Sequence, residues 1–297
     1  CACPLPAKDK LEEIPEKAQK RFNHSVIAQL DSQLTDEVEK WGDDADKARL
    51  HSVRGFGACA WLQALPTVSW GRFIPSLFRI LLRSTLGLEQ ALTFGGCQCA
   101  CGQVVDGRAY HYLCCRRGGH RITTHNSVVR HIHSMTRACN YMSRIQDLTP
   151  LFRTATGRHV PDQVIFDWSD DGTHMATDTS VTCPAAPTYV AEAAHVAGSA
   201  GRQREGKKRT KYVPLCQAAD MTFTPLVFET FGAWGQDMQR FFADCVGRVE
   251  NRLEEDELRS WTAMTFKQVW LQRISCTLMR GVAKCIRYRA RRDFVTA

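Results

Sequence analysis

The chain has 297 residues, 44% hydrophobic and 24% charged, an ordinary globular balance that excludes disordered and fibrous classes. Its length suggests two domains, and no window approaches eighteen uninterrupted apolar residues, so neither a membrane span nor a membrane partner is expected. The net charge of +8 is uneven: residues 1–50 hold eight Lys/Arg against eleven Asp/Glu, leaving +11 on the other 247 and pointing to a polyanionic partner.

The chain opens on Cys1 with no basic, apolar and small leader, and is read as a piece of something longer. Its fourteen cysteines are accordingly expected to be reduced, which favours metal binding over disulfides where they cluster. The scattered Cys59, Cys139, Cys245, Cys276 and Cys285 read as small buried hydrophobes.

Residues 5–50 read as helix, with Val26, Leu30, Leu34 and Val38 on one face. Gly55, Gly57 and Pro66 break the pattern, and a second helix is expected from about Pro75 to Leu88. The stretch "CQCACGQVVDGRAYHYLCC", residues 97–115, then gathers five cysteines and one histidine. Cys99 and Cys101, with His111 and Cys115, form two close pairs around a loop and suit one structural zinc ion; Cys97 and Cys114 are open alternatives. Four protein ligands leave no position for a reacting water, so the site is expected to be structural. A basic helix follows, with Asn126 as its expected N-cap and Val128, Val129, Ile132 and Met135 on its apolar side. Arg116, Arg117, Arg121, His125 and Arg130 are its candidate nucleic-acid contacts.

Near residue 158 the texture becomes β-rich. "VPDQVIFDW" and "MATDTSVTCP", joined by the turn signal "SDDG", predict an antiparallel pair, and "FTPLVFETFG" predicts another buried strand. Asp167, Asp170 and Asp171 are expected to cap turns. Between the strands a helical stretch contains Gly198, Gly201 and Gly206, and from Gln236 onward the chain is expected to be helical. An α/β core with a small mixed sheet results.

Asp162 and Asp178 fall on the two neighbouring strands, where paired carboxylates can hold Mg²⁺ for phosphodiester hydrolysis. "GKKRTKY" adds Lys208 and Lys211, three apart on one helical face, to stabilise charge on a phosphate, and Lys207 and Arg209 as further nucleic-acid contacts. Ser180 stands two residues after the second acid, where restriction enzymes usually carry the lysine, so a lysine is expected to arrive from the helix instead.

In order, "GACAWLQALP", "FRILLRSTLGL", "CACGQVVDGRAYHYLCC", "THNSV", "PDQVIFDW", "TDTSVTCP", "KRTKY" and "TPLVFETFG" resemble the C-terminal region of non-LTR retrotransposon polyproteins with a restriction-like endonuclease. The match spans about residues 50–240. The resemblance implies a helical linker (1–95), a zinc knuckle with its basic helix (96–140), and a PD-(D/E)xK-type endonuclease domain with C-terminal helices (141–297). It assigns Cys99, Cys101, His111 and Cys115 to zinc, Asp162 and Asp178 to magnesium, and a lysine of the 208/211 pair to catalysis. The implied activity is nicking of target DNA to expose a 3′-hydroxyl that primes reverse transcription. The implied setting is nuclear, with the element RNA and a reverse transcriptase region as partners. No YxDD-like polymerase box occurs in this chain. Two other readings stand beside it: a nucleic-acid-binding module that no longer cuts, and a ribonucleoprotein scaffold.

Overall fold

The computed structural model describes residues 16–91, 98–117, 119–145, 153–154, 157–158, 160–249 and 265–295. Residues up to Asp43 and residues from Asp44 onward form separate compact units. The first contributes α1 (Glu16–Trp41), on which Val26, Leu30 and Leu34 are exposed. The single helix expected over 5–50 stops at Trp41, and α2 (Asp44–Val53) starts afresh with Asp44 and Asp46 in its first turn, where acidic side chains oppose the helix dipole. Residues 5–15 of that expectation lie outside the described residues.

In the second unit α3 (Ala60–Gln63), a 3₁₀ turn (Ser69–Gly71) and α4 (Pro75–Leu86) follow. Pro75 opens α4 at the first helical position, and Gly87 closes it in the left-handed conformation. After α5 (Tyr110–Cys114), α6 (His120–Ala138) buries Val128, Val129, Ile132 and Met135 as expected. Its start differs. The helix begins six residues before Asn126, with Gly119 as N-cap, because Asn126 lies inside the helix with its side chain against His125.

The four-stranded sheet is mixed, in the spatial order Ser143–Ile145, Gln163–Ile165, His174–Thr182 and Met221–Glu229. β1 (Ser143–Ile145) is antiparallel to β4 (Gln163–Ile165), and β4 to β5 (His174–Thr182), as the turn between them predicts. β2 (Arg153–Thr154) and β3 (Gly157–Arg158) form a separate ribbon. β6 (Met221–Glu229) runs parallel to β5. A parallel neighbour requires a crossover, here supplied by α7 (Val190–Ala193) and α8 (Ser199–Gln217). Pro225 lies on β6, at one side of this sheet, opposite Asp178, a position where a strand tolerates a missing N–H.

α8 continues through Gly201 and Gly206 rather than loosening there, and buried carboxylates tie its first turn to β6 and its middle to the next helix. Glu229 accepts the Gly201 N–H in the helix's first turn at 3.1 Å. Glu205, on α8, accepts the Asp237 N–H at 3.1 Å in the first turn of α9 (Gln236–Gly247). Each carboxylate thus satisfies a helix-terminal donor from another element. Burial pushes both carboxyl pKa values up.

The last helix, α10 (Phe266–Val295), buries Val269, Trp270, Ile274, Leu278, Met279, Val282 and Ile286. It crosses α6 so closely that a Cβ at Gly281 would stand 2.4 Å from Thr124 Cγ2. One apolar core joins Trp61 and Leu81, Tyr112 and Ile132, and Ile165, Phe228 and Phe241, so residues from all three sequence segments share it. Among the scattered cysteines, Cys139, Cys245, Cys276 and Cys285 are buried, whereas Cys59 is only half-buried because its thiol turns to the Val53 carbonyl. Among the described residues no helix is long and apolar enough to cross a membrane.

Candidate functional site

Two constellations carry chemistry. The first is the cysteine-rich segment. A tight turn brings Cys99 and Cys101 to one side: Gly102 donates its N–H to the Cys99 carbonyl at 2.7 Å, and its φ of 88° is one that glycine adopts without strain. Asp106 accepts the N–H groups of Tyr110 and His111 at 3.0 and 2.9 Å, starting α5 and fixing His111 on it. The ligand atoms of Cys99, Cys101, His111 and Cys115 all lie within 4.8 Å of one another. Cys99 Sγ is 3.8 Å from Cys115 Sγ, and Cys101 Sγ is 3.2 Å from His111 Nε2. These four residues lie close enough to bind a metal.

The alternatives resolve differently. Cys114 points its thiol to the His111 carbonyl, away from the cluster. Cys97 lies outside the described residues. Beneath the cluster, Arg289 of α10 is buried and donates to the Tyr112 and Cys115 carbonyls, both at 3.2 Å. Burial pushes the Cys99 thiol up to about 12. At Cys115 burial acts the same way, but hydrogen bonds from the Arg117 backbone, Arg289 and the neighbouring thiols outweigh it and lower the pKa. Sequence alone did not single out Arg289, which lies 174 positions from Cys115.

The second constellation sits where β4, β5, α6 and α8 meet. The β4–β5 register pairs Gln163 with Thr177, and the next step of the same antiparallel alignment sets Asp162, just before β4, opposite Asp178. Asp162 Oδ2 accepts the Thr179 N–H at 2.7 Å and faces His125 Nε2 at 2.9 Å. Asp178 is buried, and its Oδ2 is ion-paired with Lys208 of α8. Tyr212 packs beside this pair, and burial, followed by the charge of Asp178 and a hydrogen bond to it, pushes its phenol pKa up; Asp162 acts in the same direction. The two acids therefore bear on one small volume rather than on opposite sheet faces.

The meeting of α8 with β5 has a simple metric. Four residues of helix rise about 6 Å, and two residues of strand about 6.6 Å. Lys208 reaches Asp178, and four residues earlier Arg204 donates to the Ser180 hydroxyl at 3.2 Å. The helix thus delivers cations to alternate residues of the strand. Lys211 is exposed, with its ammonium donating to the Tyr212 hydroxyl at 3.4 Å and 4.7 Å from that ring's centre.

The expected nucleic-acid contacts divide. Arg116 and Arg121 line a cleft of about 440 Å³ beside the acids. Arg117 and Arg130 are exposed. Lys207 lies over the Tyr189 ring at 5.1 Å. Arg209 is paired with Asp237, because α9 starts directly beside this turn of α8. His125 also lines that cleft and is half-buried, with its ring between Asp162 and Asn126. Burial lowers its pKa, but its hydrogen bond to Asp162 and that carboxylate's charge outweigh burial and raise it. Asp171 caps its turn, accepting from Ser169 and the Thr173 N–H, as expected. No family model matches the chain, and no curated protein matches it.

Proposed function

We propose that this chain is the zinc-stapled, Mg²⁺-dependent endonuclease region of a retroelement, which nicks target DNA to provide a 3′-hydroxyl primer for reverse transcription. The observation that carries the reading is the ion pair between Lys208 and Asp178 beside Asp162, in a strand whose own residue at the next inward position is Ser180. The resemblance to restriction-like endonucleases of non-LTR retrotransposons supplies the biological setting: a nuclear DNA target, element RNA, and a reverse transcriptase region elsewhere in the polyprotein.

Zinc suits the Cys₃His donors. A tetrahedral ion with Zn–S distances of about 2.3 Å has an S···S edge of about 3.8 Å, and the Cys99 and Cys115 sulfurs are 3.8 Å apart. Its role is to staple the loop between α4 and α6.

Two carboxylates facing each other across a strand pair suit Mg²⁺, which takes one or two protein carboxylates and completes its shell with water and phosphate. Bound there, the ion would neutralise phosphate charge and lower the pKa of a coordinated water. Lys208 places its ammonium where it can stabilise negative charge developing on the phosphate. His125 and the Thr179 N–H both engage Oδ2 of Asp162 and orient that carboxylate. Tyr212 walls the site from the α8 side.

One observation favours the binding-only reading: Lys208 and His125 already engage the acids, as a purely structural network does. Supercoiled plasmid separates the two. We expect zinc-loaded protein to nick it with Mg²⁺ and not with EDTA, and Asp162→Ala or Asp178→Ala to abolish nicking. Salt-sensitive binding without nicking would select the binding module, and nicking that survives both substitutions would reject this site.

A further inference from the structure

Beside the acid pair, the cleft of about 440 Å³ is walled by β5, α6, α8 and α10. Four permanent cations line it, Arg116, Arg121, Arg204 and Lys208, and no carboxylate does. Lys208 is committed to Asp178. Arg204 donates through Nε to Ser180 Oγ, and among the described residues no carboxylate pairs with it. Guanidinium groups converging on a half-enclosed space repel one another unless an anion shares it, so this lining selects an anionic ligand. A guanidinium supplies donors in a planar fork that matches phosphate oxygens, and the Ser180 hydroxyl adds a neutral donor beside it.

The position of the pair sharpens the identity. Arg204 precedes Lys208 by one helical turn, roughly 6 Å, and Ser180 follows Asp178 on the same face of β5. An anion held by Arg204 and Ser180 therefore lies one step along the strand from the phosphate that Lys208 and the acids would address. That offset suits consecutive phosphates of a single DNA strand. Resting on the nuclease reading above, we propose that Arg204 and Ser180 form a phosphate subsite that holds the DNA backbone next to the scissile bond. Arg116 and Arg121 line the same cleft from the metal-cluster side, Arg121 donating to the Cys114 carbonyl at 3.2 Å.

The test is fluorescence anisotropy of a labelled duplex oligonucleotide over a KCl series, with Ca²⁺ replacing Mg²⁺, on the full chain loaded with zinc. Arg204→Gln is expected to weaken binding about tenfold and to reduce the salt slope by about one. Arg204→Lys should recover most of the slope. In plasmid nicking, Arg204→Gln should raise KM more than it lowers kcat. Ser180→Ala, a small change in a strand, should weaken binding by a lesser factor and serves as the second variant if Arg204→Gln does not fold. An unchanged affinity and slope in folded Arg204→Gln, or in Ser180→Ala where that is the variant available, would overturn the subsite whether or not the protein nicks. A reduced slope in Arg204→Gln, with a wild-type protein that never nicks, would keep the phosphate contact and remove the nuclease reading.

Discussion

The cysteine cluster and the acid pair are built in opposite ways. Cys99, Cys101, His111 and Cys115 come from one short stretch, and a turn plus five residues of helix bring them together. Asp162, Asp178, His125 and Lys208 come from four separate elements and meet only because the sheet register, the crossover and the α6 packing all agree. A local site depends on few contacts, and its chemistry is its own. An assembled site depends on what positions each part, so its supports matter as much as its reacting groups.

The largest effect expected from this contrast is at the cluster. Cys115→Ser should abolish stoichiometric metal and destabilise the unit from Asp44 onward by several kcal/mol at least, since structural metal binding is folding energy. Elemental analysis with thermal melts checks this; about one zinc per wild-type chain is the expected content. Wild-type protein containing no metal after purification under reducing conditions with zinc present would retire the staple.

Next comes the ion pair. Lys208→Met leaves the buried Asp178 without its partner and should cost about 3 kcal/mol. Pairing it with Asp178→Asn should recover a large share, which a double-mutant cycle in urea measures. Additive losses would show that the two side chains do not act together.

How far each site could be read from sequence follows from the same contrast. Cys/His spacing is a local signal, and it picked out the four residues that converge; the choice between Cys114 and Cys115 needed the structure, because Cys115 leaves the end of α5 in an extended conformation, and Cys97 lies outside the described residues. The β4–β5 hairpin was legible from its turn residues, and with it the facing of Asp162 and Asp178. Lys208 could be placed on a helix, but not distinguished from Lys211, because both lie on a similar face until the helix docks on β5. His125 looked like one more residue in a basic run. Its histidine-asparagine neighbourhood was visible, yet nothing local said that α6 starts six residues earlier and turns this ring toward the sheet. Glu205, Glu229 and Arg289 were invisible as structural groups, since charged residues in sequence read as solvated by default.

The buried supports give the third expectation. Glu205→Ala removes the acceptor for the Asp237 N–H and should cost about 1–3 kcal/mol. Glu205→Gln should cost less, because an amide oxygen can still accept. A carboxyl whose folded pKa is raised holds its proton more tightly in the folded chain, so its contribution is most favourable below the ordinary value of 4.5 and declines as pH rises through the raised pKa. Melting temperatures from pH 4.5 upward should therefore fall less steeply in Glu205→Gln than in wild type. Parallel curves would show that this carboxyl carries no such penalty.

The smallest effect belongs to Lys211. Being exposed, Lys211→Ala should change stability by about 0.5 kcal/mol or less and leave nicking within a few-fold of wild type, in contrast to Lys208. Equal losses at the two lysines would mean that α8 presents both to the substrate.

The most direct test of the assembled site is the single-turnover nicking rate at saturating Mg²⁺ for wild type, Asp178→Asn and Lys208→Met, each zinc-loaded and folded. A site in which the acid and the helix-borne ammonium act on one phosphate predicts losses of about 10²-fold or more in both variants. Rates within a few-fold of wild type in both would contradict it.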